Sequence, residues 1–133
     1  MEQDPDDTEN ILIKKESEVL TDTSLIILAK GIGKESLKGL ELAMYLNIPT
    51  TRIITIINNS TTNFLTNEGS ENDRIAVTSQ CVLLWKKMTK DSKTKEKVHD
   101  MERALREIGK PELADLFIEH HQNNLELTND IFE

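Results

Sequence analysis

The sequence contains little of what would stabilise a small secreted domain or cross a membrane. Its 133 residues include one cysteine, Cys81, three prolines and five glycines, and aromatic side chains make up 4% of the chain. A single cysteine excludes an internal disulfide, and the absence of about 18 consecutive apolar residues excludes a typical membrane-spanning helix. With no signal-like apolar stretch either, these features predict a cytoplasmic protein that does not insert into membranes.

Basic residues are absent from the first ten positions, MEQDPDDTEN, which contain five acids. We expect residues 1–20 to form an acidic, partly disordered segment. Without those ten positions the net charge changes from −8 to −3, that is, 16 basic against 19 acidic residues. The remaining charge is uneven, because residues 85–97 contain six lysines and two acids, whereas residues 111–133 contain six acids and no lysine or arginine. These poles favour self-association or internal pairing, although each can also be a solvated face.

The hydrophobic residues, 37% of the chain, are spaced three and four apart and almost never alternate as they would in a half-buried strand. The pattern predicts an all-α protein: a compact antiparallel bundle of six short helices over residues 21–123, followed by a C-terminal tail at 124–133. The apolar faces also predict a core, with Ile57 and Cys81 among its inward-facing positions. Its other predicted members are Leu42, Ala43, Leu46, Ile53, Ile56, Val82, Trp85, Leu105, Leu113 and Phe117.

Glycine, asparagine and proline predict where the helices end. Gly31 and Gly33 are expected to stop a first helix over residues 24–30, and Asn47 before a proline is expected to stop a second over 35–46. Gly109 is expected to end the fifth helix. The third helix opens at Pro49, and the fourth, fifth and sixth cover about 74–88, 95–108 and 111–123. A polar loop is predicted at 58–73.

The stretch Ala29–Ser36, AKGIGKES, is similar at first sight to a phosphate-binding loop. Such a loop requires glycine at the position of Leu28 and a hydroxyl residue at the position of Glu35, and a buried strand before it. The sequence has none of the three. We therefore expect no nucleotide site and no other cofactor.

No set of side chains predicts catalysis or metal binding. His120 and His121 are adjacent, so on a helix they point about 100° apart and form a poor pair of ligands for one metal. We expect them to be exposed residues near a helix end. Cys81 has no histidine near it in sequence and is expected to be a packed thiol rather than a nucleophile.

Residues 40–57, LELAMYLNIPTTRIITII, have the apolar spacing of a helix-turn-helix, which makes a DNA-binding protein the alternative interpretation. A DNA-reading helix must present several basic and amide groups to phosphates and bases. Here the second helix offers Arg52 as its one cation, in a chain whose isoelectric point is about 4.9. We therefore expect no nucleic-acid partner.

Three segments together resemble the death-domain family, over roughly residues 21–123. ALREIGKPELADLF, residues 104–117, is similar to the Ala-Leu pair, Ile-Gly corner and Leu-Ala pair of the family's fifth and sixth helices. VLLW, ending at Trp85, is similar to the fourth helix, and LAMYLNIPTTRIITI is similar to the second and third. Gly39 stands where the family usually has a tryptophan, and the loop before Arg74 is longer than usual.

The resemblance implies a signalling adaptor module without catalytic activity. It would bind other death-domain proteins, whether receptor, adaptor or effector, and could also self-associate. Assembly in this family uses three asymmetric surface pairs that build oligomers in apoptotic or innate-immune signalling, and such contacts propagate because they do not close on themselves. The chain is then expected to be a stand-alone adaptor or a fragment of one.

The resemblance also implies which residues form these surfaces. The first pair joins the end of the fourth helix to the corner between the fifth and sixth: Lys86, Lys87 and Met88 against Gly109, Lys110, Pro111, Glu112 and Asp115. The second sets the third helix against the corner between the first and second: Arg52 and Thr55 against Lys34 and Glu35. The third uses Lys38, Glu41 and Tyr45 of the second helix. Each of these side chains can instead be simply solvated.

Overall fold

The computed structural model describes residues 17–35, 37–60 and 71–132, and within them the chain is all-helical, with no strand. This confirms the predicted fold class. The α-helices of the described residues are α1 (Asp22–Gly33), α2 (Lys38–Tyr45), α3 (Thr50–Ser60), α4 (Glu71–Met88), α5 (Thr94–Glu107) and α6 (Pro111–Gln122). Short 3₁₀ turns at Glu18–Leu20 and Asn129–Phe132 flank the helices.

Helix α1 begins where a hydroxyl can cap it and ends later than its glycines predict. The side chain of Thr21 accepts a hydrogen bond from the backbone NH of Ser24 at 3.2 Å, which satisfies one of the free donors of the first turn. The prediction that the helix stops after Lys30 is wrong, because α1 continues through Gly31 and has Gly33 as its last residue. Both glycines are buried, and neither has the positive φ of a helix-ending glycine.

Three helices end in the same way, on a residue in the left-handed region. Asn47 (φ 65°) follows α2, Gly109 (φ 85°) follows α5 and Asn124 (φ 54°) follows α6. In each case the next NH reaches back over the last turn; the NH of Ile48, for example, donates to the carbonyl of Ala43 at 3.2 Å. The predicted stops at Asn47 and Gly109 are thus confirmed.

Helix α4 lies at the centre of the packing, against α1, α2 and α3, while α5 packs on α6 and α2. All the residues predicted for the core are buried except Ile56, which is half-buried. Ile53 and Ile57 lie four residues apart on the same face of α3 and fill the core there, so Ile56 sits at the edge of that face.

The core extends beyond both predicted ends of the bundle. Val19, Leu20 and Leu127 are 0 to 1% exposed, although the sequence analysis places them in terminal segments. The backbone NH of Leu127 donates to the Ser24 hydroxyl at 2.9 Å, which fixes this segment to α1. Residues 1–16 and positions 61–70 of the predicted loop lie outside the described residues. The rest of that loop is helical, because α3 continues to residue 60 and α4 begins at residue 71, three positions earlier than predicted.

Candidate interaction surface

The end of α4 is the basic half of the first predicted surface pair. The ammonium of Lys86 donates to the carboxylate of Asp22 at 2.7 Å, so this lysine ties α4 to the first residue of α1. Lys87 and Met88 are exposed, Met88 by 46%. Of the three residues predicted here, Lys87 and Met88 are therefore presented to solvent, whereas Lys86 has a structural partner.

The corner between α5 and α6 is the acidic half of that pair. Asp115 accepts a hydrogen bond from the guanidinium of Arg106 at 2.7 Å, and Arg106 also donates to Glu102 at 2.8 Å. These two hydrogen bonds raise the pKa of Arg106, and the bond to Asp115 has the larger effect. Asp115 is thus engaged within its own corner, while Pro111 and Glu112 are exposed.

The structure brings together two corners that the resemblance assigns to different surfaces. Glu35, between α1 and α2, forms an ion pair with Lys110, between α5 and α6. The ammonium of Lys38 donates to the carbonyl of Ile108 at 2.9 Å and lies 3.4 Å from the carboxylate of Glu41. Three of these predicted contact residues, Glu35, Lys38 and Lys110, therefore connect elements of the same molecule.

Helices α2 and α3 present a surface that is more apolar than predicted. Arg52 is exposed, but the Thr55 hydroxyl donates to the carbonyl of Thr51 at 2.9 Å on its own helix. The large apolar side chains around them are unusually accessible, with Met44 62% and Tyr45 44% exposed. Lys34, also predicted for contact, is exposed, and its carbonyl accepts a hydrogen bond from Arg74.

Sequence reasoning missed a cavity of about 350 Å³ at one end of the molecule. Its lining residues are Asp22, Lys86, Lys87, Lys90 and Lys97, and we call it the lysine cavity. Lys97 is 7% exposed, although lysine is among the side chains least often buried. Within the described residues its ammonium group has no hydrogen bond or ion pair.

A signal for the burial of Lys97 was present in the sequence. It precedes Val98 and lies four residues before Met101, so a helical projection places it on the inward-facing side of α5. The cluster of six lysines in residues 85–97 was noted, but composition alone does not say which member faces inward. Only the packing of α5 decides that.

Neither cysteine nor histidine forms a reactive centre in the described part of the chain. Cys81 is fully buried, and burial raises the pKa of its thiol to about 11, which keeps it protonated. His120 and His121 are half-buried rather than exposed, since His120 donates to the Leu116 carbonyl at 2.8 Å and His121 hydrogen-bonds the Ser17 hydroxyl at 2.9 Å. Neither helix capping nor periodicity indicates these partners.

Residues 17–35, 37–60 and 71–132 offer neither a metal site nor a membrane span. They contain no group of three histidine, cysteine, aspartate or glutamate side chains placed to hold a metal ion. No helix among them is both long and apolar enough to span a bilayer.

Comparison with known proteins gives no match to a protein family, to a curated protein or to a solved structure.

Proposed function

We propose that this chain is a non-catalytic signalling adaptor module with the antiparallel six-helix arrangement of a death domain. It acts in the cytoplasm, binds other death-domain proteins through homotypic contacts and assembles into oligomers. Such oligomers would concentrate effectors in apoptotic or innate-immune signalling.

The observation that carries the proposal is the role of the segment 104–117. Its family-like residues are interior ones, since Ala104, Leu105, Ile108, Leu113, Ala114 and Phe117 are all buried. Gly109 between the two helices has the positive φ that an Ile-Gly corner requires. The residues that carry the resemblance are therefore those that join α5 to α6, and this supports the proposal.

The contact surface that we propose is narrower than the one implied by the resemblance. It consists of Lys87 and Met88 at the end of α4 on one molecule and Pro111 and Glu112 at the start of α6 on the next. All four are exposed, and the lysine and glutamate have opposite charges. A contact between two different patches is heterologous, so each added molecule leaves a further patch open.

Charge reversal at the two patches tests this surface. Lys87→Glu or Glu112→Lys alone should abolish assembly, measured by sedimentation velocity at increasing concentration or by co-elution with a second death-domain protein. Mixing the two variants, or combining them in one chain, should restore it, because opposite charges then meet again. Lys86→Glu is unsuitable, since it places a carboxylate beside Asp22 and breaks their ion pair.

Lys95→Glu is the matched control, because Lys95 is an exposed lysine on α5 outside both patches. Equal assembly of wild type, Lys87→Glu and Lys95→Glu would refute the surface. Failure of the wild-type chain both to self-associate and to retain any death-domain protein would refute the function.

The helix-turn-helix alternative gains no support from α2 and α3. Arg52 is the sole cation of residues 50–60, and the other exposed positions of α3 bear Thr50, Thr51, Ile54, Thr55, Asn58 and Asn59. A helix with one cation lacks the phosphate contacts that give protein–DNA complexes their affinity and salt dependence.

A further inference from the structure

We propose that the lysine cavity is a binding site for a compact, multiply charged phosphate-bearing anion. The proposal goes beyond the adaptor function and does not rest on it, although Lys87 belongs both to the cavity lining and to the proposed contact surface. It starts from Lys97, whose side chain is 93% buried yet has no charged or hydrogen-bonding partner among the described residues. Its ammonium is not one of the buried unpartnered polar atoms of the described residues, so the aliphatic stem is buried and the ammonium opens into the cavity.

The other cavity residues bring more positive charge to the same place. Lys86 and Lys87 come from the last turn of α4, Lys90 from the turn that follows, and Lys97 from α5. Asp22 is the one acidic residue of the lining, and four lysines against one aspartate leave a formal charge of +3. The protein thus gathers more cations here than its own carboxylate neutralises.

A solvated face does not account for this arrangement. Exposed lysines extend their ammonium groups into water and gain little from one another's proximity, since like charges repel. The packing of α5 instead holds the Lys97 stem in the interior, so its ammonium is kept beside the other lysines of the cavity despite their repulsion. The ion pair of Lys86 with Asp22, at 2.7 Å, also holds one wall of the cavity in place before any ligand arrives.

Phosphate fits the chemistry of the cavity better than a single carboxylate does. Lysine acts as a point charge with three donors, and phosphate groups offer several oxygens and more than one negative charge within a small volume. A formal charge of +3 is matched by a diphosphate or by two phosphates on one scaffold. The volume of about 350 Å³ admits such a ligand.

Titration calorimetry with inorganic phosphate, diphosphate and tripolyphosphate, at constant ionic strength, tests the site. Affinity should rise in that order, and Lys97→Met should weaken diphosphate binding by about tenfold or more, the value of one charged hydrogen bond. Lys90→Met should weaken it as well. Lys95→Met should leave diphosphate affinity unchanged, because Lys95 is an exposed lysine on the same helix outside the cavity lining.

Folding is monitored in parallel, because Lys97 is interior. Lys97→Met keeps an unbranched apolar stem and removes the repulsion from the neighbouring lysines, so its melting temperature should equal or exceed that of wild type while phosphate binding falls. If Lys97→Met unfolds, Lys90→Met alone decides the question, since Lys90 is exposed. Equal diphosphate affinity in Lys90→Met, Lys95→Met and wild type would overturn the proposal. Equal affinity of the wild type for citrate and for diphosphate would overturn it as well.

The same variants distinguish a soluble ligand from a lipid headgroup. Vesicles of phosphatidylcholine with and without phosphatidylinositol bisphosphate are compared in co-sedimentation. Retention on the phosphoinositide vesicles that Lys97→Met abolishes supports a headgroup, while tripolyphosphate binding without such retention supports a soluble phosphate. Absence of both overturns the site.

Discussion

Two regions of the molecule use glycine for opposite reasons. Where α1 and α2 meet α4, Gly33 and Gly39 provide space: a β-carbon on Gly33 would lie 3.0 Å from the α-carbon of Ile75, and one on Gly39 would overlap the Thr78 hydroxyl. At the corner between α5 and α6, Gly109 has φ 85°, and no atom of the described residues lies within 4 Å of its β-position. The first region requires a missing side chain, and the second requires an unusual backbone.

This difference determines how each region responds to change. Added volume is poorly tolerated where two helices already pack closely, because a tightly packed interior accommodates even one methylene only if the surrounding atoms shift. At Gly109 volume is harmless, and only the backbone energy of a positive φ matters. The same substitution, glycine to alanine, therefore measures packing in one region and conformation in the other.

Gly39→Ala should have the largest effect. The new methyl would meet the Thr78 side chain and its β-carbon at 2.9 Å, which outweighs the better helix propensity of alanine. We expect a loss of about 3 kcal/mol in the free energy of unfolding, measured by urea denaturation. Thr78→Ala is the matched partner, because it removes the overlapping hydroxyl.

The double variant Gly39→Ala, Thr78→Ala should be more stable than the sum of the two single changes predicts. Coupling of this sign is the signature of a relieved steric overlap. Simple additivity would show that α2 shifts away from α4 and that close contact is not what Gly39 provides.

Stability should also depend on pH through Cys81, on the face of α4 that packs inward. Well below pH 9 the thiol is protonated in both the folded and the unfolded chain. Between about pH 9 and 11 the unfolded chain loses this proton while the buried thiol keeps it, so stability falls as pH rises. The full difference is about 2 to 3 kcal/mol.

The comparison with Cys81→Ala isolates this contribution, since the two proteins differ only at this position. The difference in unfolding free energy between wild type and the alanine variant should decrease from pH 8.5 to pH 11. Over this range the thiol ionises in the unfolded chain before it does so in the folded chain. A constant difference would show that water reaches Cys81 and that this part of the interior is not dry.

The helix ends show what could be predicted from the sequence. Asn47 and Gly109 were predicted as stops because local backbone preferences suffice there. Gly31 and Gly33 have the same local signature but lie inside α1, because the choice between a stop and a close contact depends on which helix packs against them. That is a tertiary fact. For Lys97, periodicity along α5 indicates the inward-facing side, but only the packing shows that the residue is buried.

The sequence indicated that the residues of the candidate surface are accessible, but it did not indicate their ion pairs. The sequence placed charged residues at the ends of helices, and most of them are accessible. It could not show that Glu35 pairs with Lys110 across 75 positions or that Lys86 pairs with Asp22. Ion pairs between remote elements depend on how corners meet, and they decide which charges remain available for partners.

Gly109→Ala should have a smaller effect than Gly39→Ala. Alanine in the left-handed region costs roughly 1 to 2 kcal/mol, and there is no steric overlap to add to it. Gly109→Asn should cost less, because asparagine already occupies the equivalent position after α2 and α6. A greater loss with asparagine than with alanine would show that space, not backbone conformation, limits this corner.

Gly31→Ala should have the smallest effect, although a β-carbon there would overlap the ring of Phe132. The new β-carbon at position 31 would meet the far end of the Phe132 side chain, which is already 39% exposed. The one at position 39 would meet Thr78, which is only 2% exposed. The ring can turn into solvent, and the loss of its contact is offset by the gain of about 1 kcal/mol that alanine brings to a helix. Unfolding free energies of wild type and variant should therefore agree within about 1 kcal/mol.

Phe132→Ala provides the control for this last change. If the ring simply turns away, Gly31→Ala should stabilise the Phe132→Ala protein by about the helix propensity difference, because no overlap remains. If Gly31→Ala instead destabilises as much as Gly39→Ala, the turn Asn129–Phe132 is held as firmly as the helices. The close-contact region would then extend from α4 to the C-terminal turn, and Gly31 would belong with Gly33 and Gly39 in every respect.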